Sequence, residues 1–252
     1  GDTIHIFTIS ECKSKNNIAK STKMEEEKYM RRCIELAKNG LCNAAPNPMV
    51  GAVIVCDGRI IGEGYHIRCG EAHAEVNAIR SVKDESLLKR STIYVSLEPC
   101  SHYGKTPPCA DLIIEKQIPR IVIGCQDPFS QVAGRGIQKL KDAGREVIVG
   151  VLESECRQLI RRFITFNTLH RPYITLKWAE SADHFIDLER TDGQPVVLSS
   201  PLTSMLVHKR RAESVAIMVG RRTALLDNPS LTVRNWYCLL YTSPSPRDRS
   251  VS

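Results

Sequence analysis

Two short stretches constrain this chain more than any other feature: His73-Ala74-Glu75, and a run that begins with Pro99-Cys100 and ends at Cys109. His73, Cys100 and Cys109 are of the residue types that bind Zn²⁺. Catalytic zinc sites use three protein ligands and leave the fourth position to water, whereas structural sites usually use four. Because no fourth ligand is obvious, the pattern favours a catalytic zinc site over a structural zinc knuckle.

Glu75 lies two residues after the histidine and is suited to carrying protons beside such a metal. One imidazole and two thiolates balance the charge of Zn²⁺, and the metal lowers the pKa of a bound water to near neutrality. His-x-Glu followed by Pro-Cys, with the Glu not a ligand, is the arrangement of nucleobase deaminases. Those proteins close with Cys-x-x-Cys, whereas eight residues separate Cys100 from Cys109 here.

Composition narrows the class of protein and its partners. A length of 252 residues suits one large or two small domains, and 42% apolar with 25% charged residues is ordinary for a soluble chain. The chain has no run of ~18 apolar residues and no signal sequence, so we predict a cytoplasmic location and no membrane partner. A net charge of +7 suits an anionic small substrate, and without a basic stripe we expect no nucleic acid. The ten cysteines are dispersed, and those in apolar runs, such as Cys56 and Cys125, are predicted to be buried thiols rather than a disulfide framework.

The amino-terminal residues divide at Met24. Residues 1–23 have no clear hydrophobic period, which favours a non-native extension, with a short disordered head as the alternative. A helix is predicted over Glu25–Lys38 and ends at Asn39-Gly40. Its apolar face has the spacing i, i+3, i+4, i+7: Met30, Cys33, Ile34 and Ala37.

Strands and helices then alternate, which predicts a three-layer α/β domain over residues 24–170. A hairpin turns at Asp57-Gly58. The predicted strands are residues 50–55, 60–65, 92–97, 121–125 and 146–151, and the predicted helices are residues 73–82, 109–116, 136–143 and 153–169. A helix beginning near Pro99-Cys100 would direct free N–H groups at the Cys100 sulfur and favour its thiolate.

These motifs resemble the deaminase half of the bifunctional riboflavin-biosynthesis deaminase/reductase family. The matching motifs are Pro-Asn-Pro-x-Val-Gly at 46–51, Gly-x-Gly-Tyr-His at 62–66 and Thr-Pro-Pro-Cys at 106–109. The resemblance implies a cytidine-deaminase-like α/β/α fold, one Zn²⁺, and contacts of Asn47, His66, Lys105 and Asp127 with a phosphorylated pyrimidine. A surface role at a strand end is the alternative for His66. The family's deaminase step converts 2,5-diamino-6-(5-phosphoribosylamino)pyrimidin-4(3H)-one to 5-amino-6-(5-phosphoribosylamino)uracil.

After a linker at residues 170–172, residues 171–237 resemble the start of the reductase half, an incomplete dihydrofolate-reductase-like α/β domain. Strands are predicted over residues 173–178 and 215–219, and a helix over residues 201–211. The matching motifs are Lys177-Trp178-Ala179-Glu180-Ser181, His208-x-x-Arg211, Gly220-x-x-Thr223 and the run from Asp227 to Arg234. By resemblance, Arg211, Leu231 and Arg234 hold a ribose phosphate, and Ala179, Thr223 and Asp227 border NADPH. Ordinary surface charge is the alternative for the two arginines. His184 stands where the family usually has Gly, in a turn that favours positive φ.

Further expectations concern the end of the chain and two alternative functions. Residues 238–252 resemble a translated sequencing adapter, with a Ser/Pro-rich disordered tail as the alternative. We therefore expect a C-terminally truncated chain without the NADPH-dependent step, from a family whose full-length members form homo-oligomers. One rival is a zinc deaminase of cytidine, deoxycytidylate or tRNA adenosine, which the Cys100–Cys109 spacing disfavours. The other is a non-catalytic zinc-stabilised module, which Glu75 disfavours.

Overall fold

The computed structural model describes residues 9–103, 107–129, 133–189 and 194–236. The chain divides into two compact units, Gly1–Pro172 and Tyr173–Ser252, and each is described by itself. Within those described ranges, no helix has both the length and the apolar character needed to span a membrane.

A five-stranded sheet forms the centre of the first unit. Strands β1 (Gly51–Cys56) and β2 (Arg59–Tyr65) form an antiparallel hairpin, and β1 also pairs antiparallel with β3 (Thr92–Leu97). Strands β4 (Arg120–Cys125) and β5 (Glu146–Val149) continue the sheet in parallel, so the order is β2-β1-β3-β4-β5. The hairpin turn is formed as predicted, since Asp57 and Gly58 both have positive φ.

Strand directions bring several loops to one edge of this sheet. Because β1 is antiparallel to both β2 and β3, and β3 is parallel to β4, the carboxyl ends of β2, β3 and β4 lie at the same edge. His66 follows β2, Cys100 follows β3 and Asp127 follows β4. Residues far apart in the sequence are therefore placed side by side at that edge.

Helices cover both faces of the sheet and confirm the predicted three-layer architecture. One face is covered by α2 (Ala74–Arg80), α3 (Cys109–Glu115) and α4 (Arg135–Asp142). The other is covered by α1 (Ile9–Lys38), α5 (Glu153–Leu159) and α6 (Arg161–Leu169). Alternate residues of the strands face the two layers: Ala52, Ile54, Ile93 and Ile121 pack with the first group of helices, and Val53, Val55, Tyr94 and Val122 with the second. The predicted apolar face of α1 is buried on β1 and β3 at Met30, Cys33 and Ala37.

Several element boundaries differ from the prediction. Helix α1 begins at Ile9 rather than Glu25, so it extends into the segment that lacks a clear hydrophobic period. The helix predicted over residues 153–169 is two helices that meet at Ile160, and a 3-10 helix at Glu85–Arg90 was not predicted. Pro99 and Cys100 lie in the loop after β3, and the helix predicted to begin near them is not formed. Among the described residues, seven cysteines are free thiols and five of these are buried, including Cys56 and Cys125 as predicted, whereas Cys42 is disulfide-bonded.

The second unit contains two helices among its described residues. Helix α7 (Pro201–Ala212) confirms the prediction and is capped by Ser200, whereas α8 (Arg221–Asp227) was not predicted. The two strands predicted here do not form within the described ranges, where apolar side chains such as Leu176 and Met218 are exposed. Strands need hydrogen-bonded neighbours, and no described segment of this unit supplies one. His184, at the turn where glycine was expected, adopts a positive φ of +68° itself.

Candidate metal centre and substrate pocket

The three predicted metal ligands converge at the edge where β3 ends. His73 is the N-cap residue of α2, Cys100 lies in the loop after β3, and Cys109 is the first residue of α3. The Nδ1 atom of His73 lies 3.5 Å from Cys100 Sγ and 3.3 Å from Cys109 Sγ. All three donor atoms lie within 4.8 Å of one another.

These separations fit a tetrahedral zinc ion. Zn–N bonds of ~2.0–2.1 Å and Zn–S bonds of ~2.3 Å at tetrahedral angles place the two donors about 3.5 Å apart. The charges fit as well: hydrogen bonds from Cys109 and His73 lower the pKa of Cys100 to about 4, whereas the adjacent Cys100 and burial raise the pKa of Cys109. Two adjacent thiolates oppose each other's ionisation, and a divalent cation between them removes that opposition.

A helix N-terminus does act on the Cys100 sulfur, but it belongs to α3. The backbone N–H of Cys109 donates to Cys100 Sγ at 3.2 Å, and the N–H of Ala110 donates to the Cys100 carbonyl at 3.1 Å. N–H groups in the first turn of a helix have no partner within it, and here one of them stabilises thiolate charge. The predicted electrostatic effect is therefore supplied by the element that also carries the second cysteine.

Glu75 is buried in the first turn of α2, with 3% of its surface exposed. Burial raises the pKa of its carboxyl to about 7, and the negative charge of Cys100 acts in the same direction. The pKa of His73 is raised mainly by its hydrogen bond with Cys100. A carboxyl held in this environment is suited to accepting and releasing protons near neutral pH.

Asn47 and His66 are brought together beside the metal ligands. The Asn47 amide lies 3.2 Å from His66 Nε2, and His66 Nδ1 lies 3.1 Å from the Ala72 carbonyl. An amide donor at Nε2 and a carbonyl acceptor at Nδ1 define the neutral tautomer that is protonated on Nδ1. Burial lowers the pKa of His66, which favours the same neutral form. His66 is 3% exposed, so it does not have the surface role considered as the alternative.

A cavity of about 550 Å³ joins these groups in the first unit. Its lining includes six of the predicted residues: Asn47, His66, His73, Glu75, Cys100 and Asp127. The Asp127 carboxylate accepts the backbone N–H of Phe129 at 2.8 Å, and burial raises its pKa. Lys105, the remaining predicted contact on the deaminase side, lies outside the described residues.

Sequence reasoning missed several residues of the lining: Glu98, His102, Phe129, Arg135, Phe163 and Asn167. Phe163 and Asn167 come from α6, which no motif connected with the site. Glu98 had a signal, because it is a charged residue between a buried strand and Pro99-Cys100. A carboxylate in such a place has to be paired.

In the second unit, three predicted phosphate-site residues come together. The Arg211 guanidinium donates to the Thr232 carbonyl at 3.1 Å, and the Arg234 N–H donates to His208 Nδ1 at 2.9 Å. Leu231 directly precedes Thr232 in the sequence and lies in the left-handed region, with φ +52°. Thr223 and Asp227 lie one turn apart on α8, and Ala179 lies in the extended segment before the turn at His184. The roles of these six residues stay predictions.

The fold and the donor set define a zinc-binding domain of the cytidine-deaminase class. Residues 23–125 match the family of the cytidine and deoxycytidylate deaminase zinc-binding region, and residues 172–239 match the RibD C-terminal domain. The chain is thus similar to the RibD family of riboflavin-biosynthesis proteins, as the motifs indicated.

Individual relatives agree with this assignment. The chain is 44% identical to riboflavin biosynthesis protein RibD of Aquifex aeolicus over 83% of its own length and 58% of that protein, and 45% identical to RibD of Escherichia coli over 84% and 56%. A Thermotoga maritima structure, described as a diaminohydroxyphosphoribosylaminopyrimidine deaminase/5-amino-6-(5-phosphoribosylamino)uracil reductase, superimposes with a TM-score of 0.78 at 46% identity. It covers 84% of this chain and 60% of that one. Acinetobacter baumannii RibD also gives 0.78, at 40% identity over 84% and 58%. The chain thus spans somewhat more than half the length of these relatives.

Proposed function

We propose that the first unit hydrolytically deaminates 2,5-diamino-6-(5-phosphoribosylamino)pyrimidin-4(3H)-one to 5-amino-6-(5-phosphoribosylamino)uracil in riboflavin biosynthesis. The observation that carries the proposal is the buried Glu75 carboxylate beside a His/Cys/Cys donor set, in a cavity with Asn47, His66 and Asp127. The similarity of the chain to RibD proteins supports this substrate over other pyrimidines.

The residues of the chain divide the work of the reaction. His73, Cys100 and Cys109 would hold Zn²⁺, which lowers the pKa of water so that it becomes a nucleophile near neutral pH. Glu75 accepts a proton from the attacking water and passes it to a ring nitrogen. It then takes the remaining hydroxyl proton as the carbonyl forms and gives it to the departing amine. A C–O bond forms at the carbon that carries the exocyclic amine, the C–N bond breaks, and ammonia leaves.

The pocket orients the ring. The neutral His66, fixed between Asn47 and the Ala72 carbonyl, would position the pyrimidine together with Asn47 and Asp127. Lys105 completes the proposed set of contacts. A pocket built to hydrogen-bond one ring rejects analogues that leave its buried polar groups unpaired.

Turnover of the diaminopyrimidine ribotide by the zinc-loaded chain tests this function, with Glu75→Gln as the main variant. We expect the variant to keep its zinc and its fold and to lose about 100-fold or more in kcat, since proton transfer supplies roughly 10²–10⁴-fold. The matched control is Glu85→Gln, an exposed carboxylate that pairs with Lys116 on the surface. Unchanged activity in Glu75→Gln would contradict the mechanism, and comparable turnover of free cytidine would favour the rival deaminase.

For the second unit, Arg211, Leu231 and Arg234 are the proposed contacts for the ribose phosphate, and Ala179, Thr223 and Asp227 the proposed contacts for NADPH. Guanidinium groups suit phosphate because they bind it bidentately. The predicted strands of this unit do not form in the described ranges, so we expect this chain not to reduce the deaminated product. Oxidation of NADPH that depends on that product would contradict the expectation. The cytoplasmic location and the homo-oligomer stay predictions.

A further inference from the structure

The Glu98 side chain makes an unusual set of hydrogen bonds beside the metal ligands. It is 4% exposed and lies between β3 and Cys100. Its Oε2 accepts the backbone N–H groups of Asp127 at 3.1 Å and Gly134 at 3.0 Å. Its Oε1 accepts those of Gly136 at 2.9 Å and Ile137 at 3.2 Å.

Two of these donors are explained by the start of α4. The N–H groups in the first turn of a helix lack partners within the helix. The N-cap residue of α4 is Gly134, which has no side chain to accept them and has φ +78°. Glu98 therefore caps α4 from a distant part of the sequence, and the positive end of the helix favours its carboxylate.

The other consequence concerns the wall of the cavity. Asp127, whose N–H is held by Glu98, in turn fixes Phe129 through a hydrogen bond of 2.8 Å. Asp127 and Phe129 line the cavity, and so does Arg135 in the first turn of α4. Glu98 thus holds the backbone of Asp127 and of the residues on both sides of Arg135.

The same carboxylate is tied to the metal side of the pocket. The Glu98 N–H donates to the Cys125 carbonyl at 2.9 Å, which extends the pairing of β3 with β4, and Cys100 follows two residues later. Helix α4 approaches this loop so closely that a Cβ on Gly136 would lie 2.0 Å from the Pro99 carbonyl oxygen. Glu98 therefore joins the loop that carries a metal ligand to the segments that carry Asp127 and Arg135.

We propose that Glu98 is a positioning residue, whose carboxylate sets the distance between the metal ligands and the substrate-binding wall formed by Asp127, Phe129 and Arg135. The proposal rests on the deaminase function proposed above. Glu98 neither binds the metal nor carries a proton. It acts only through the backbone groups that it holds.

Glu98→Gln on the full zinc-loaded chain tests the proposal. An amide nitrogen cannot accept hydrogen bonds, so two of the four N–H groups lose their acceptor. We expect about a tenfold or larger rise in KM for the diaminopyrimidine ribotide, with a smaller change in kcat, because the wall moves while the metal site stays. The zinc content should stay at the parent's value. The matched control is Glu26→Gln, a buried carboxylate that pairs with Arg120 at 2.7 Å and does not line the cavity.

Amide hydrogen exchange without substrate gives a second readout that does not need turnover. At least one pair of amides, either Asp127 and Gly134 or Gly136 and Ile137, should lose protection in Glu98→Gln, and both pairs should keep it in Glu26→Gln. Unchanged protection would overturn the proposal, and so would lost protection with an unchanged KM. If the parent chain fails to turn over the ribotide, the proposed function fails, while hydrogen exchange still decides whether Glu98 holds these segments.

A second variant covers the case in which Glu98→Gln does not fold. Glu98→Asp keeps the charge but is one methylene shorter, so it cannot hold both pairs of N–H groups. We expect exchange to rise at one pair, with a smaller increase in KM. Parent values of both KM and exchange in this variant would overturn the proposal.

Discussion

Gly64 controls how closely helix α2 packs on the sheet, and Gly64→Ala should therefore disturb the metal site from a distance. A Cβ at this position would lie 2.3 Å from the Ala78 backbone nitrogen and 2.6 Å from the Ala74 carbonyl oxygen. Both atoms belong to α2, whose N-terminus carries His73 and Glu75. Backbone atoms cannot rotate away as a side chain can, so the helix has to move as a body.

The size of the effect follows from that clash. Ordinary carbon contacts begin near ~3.5 Å, so α2 has to move by about 1 Å. Overpacking of this kind costs about 1–3 kcal/mol of stability. For a unit of this length the corresponding fall in Tm is roughly 2–12 °C. A misplacement of ~1 Å at reacting groups can cost about 100-fold in rate, so activity should fall more than stability alone would imply.

The assay combines thermal unfolding with deamination of the diaminopyrimidine ribotide at a temperature where both proteins are folded. Gly220→Ala is the matched control, because the nearest atom to its added Cβ is Thr223 Oγ1 at 3.9 Å. We expect the control to keep the parent's Tm and rate. If Gly64→Ala also keeps both, α2 does not need this close approach, and the reasoning is wrong.

Two further predictions concern the metal site and the end of α3. Cys100→Ser should lose zinc and unfold at a lower temperature, since metal binding and folding are coupled, and a variant with full zinc content would exclude Cys100 as a ligand. Gln117→Gly should stabilise the chain by about 1 kcal/mol, because Gln117 has φ +57° at the position after the C-cap where glycine is favoured. The N–H of Gln117 bonds the Ile114 carbonyl and that of Ile118 the Ile113 carbonyl, so the turn itself should persist. Chemical denaturation measures the gain, and a lower midpoint would show that positive φ costs nothing here.

Local patterns were enough to predict most of the first unit. The spacing of Met30, Cys33 and Ala37 and the Asp57-Gly58 turn depend on neighbours in the sequence, and both features are present. The convergence of His73, Cys100 and Cys109 was also predictable, because few residue types bind zinc and their order along the chain is distinctive. Strand β3 matches the predicted residues 92–97 at both ends.

What the sequence could not show depends on contacts between distant segments. The Cys100 sulfur was expected at its own helix N-terminus, yet its N–H donor comes from α3, nine residues later. Glu98 has no local signature as a helix cap, because the helix that it caps begins at Arg135. The strands predicted in the second unit have suitable composition, but strand formation depends on a hydrogen-bonded partner that composition does not report.

The predicted metal site and the β1–β2 hairpin turn of the first unit lie at opposite edges of the sheet. All the metal ligands and pocket loops lie at the edge where β2, β3 and β4 end, whereas the Asp57-Gly58 hairpin lies at the opposite edge. A Cβ on Gly58 would meet no atom within 4 Å, so a side chain at this position has open space, while the Gly58 carbonyl accepts the Tyr29 hydroxyl at 2.9 Å. A fluorophore, an affinity tag or a tether to a surface can therefore be attached at the Asp57-Gly58 turn, at the edge of the sheet opposite to the cavity. This turn is a suitable attachment point for measurements on immobilised or single molecules.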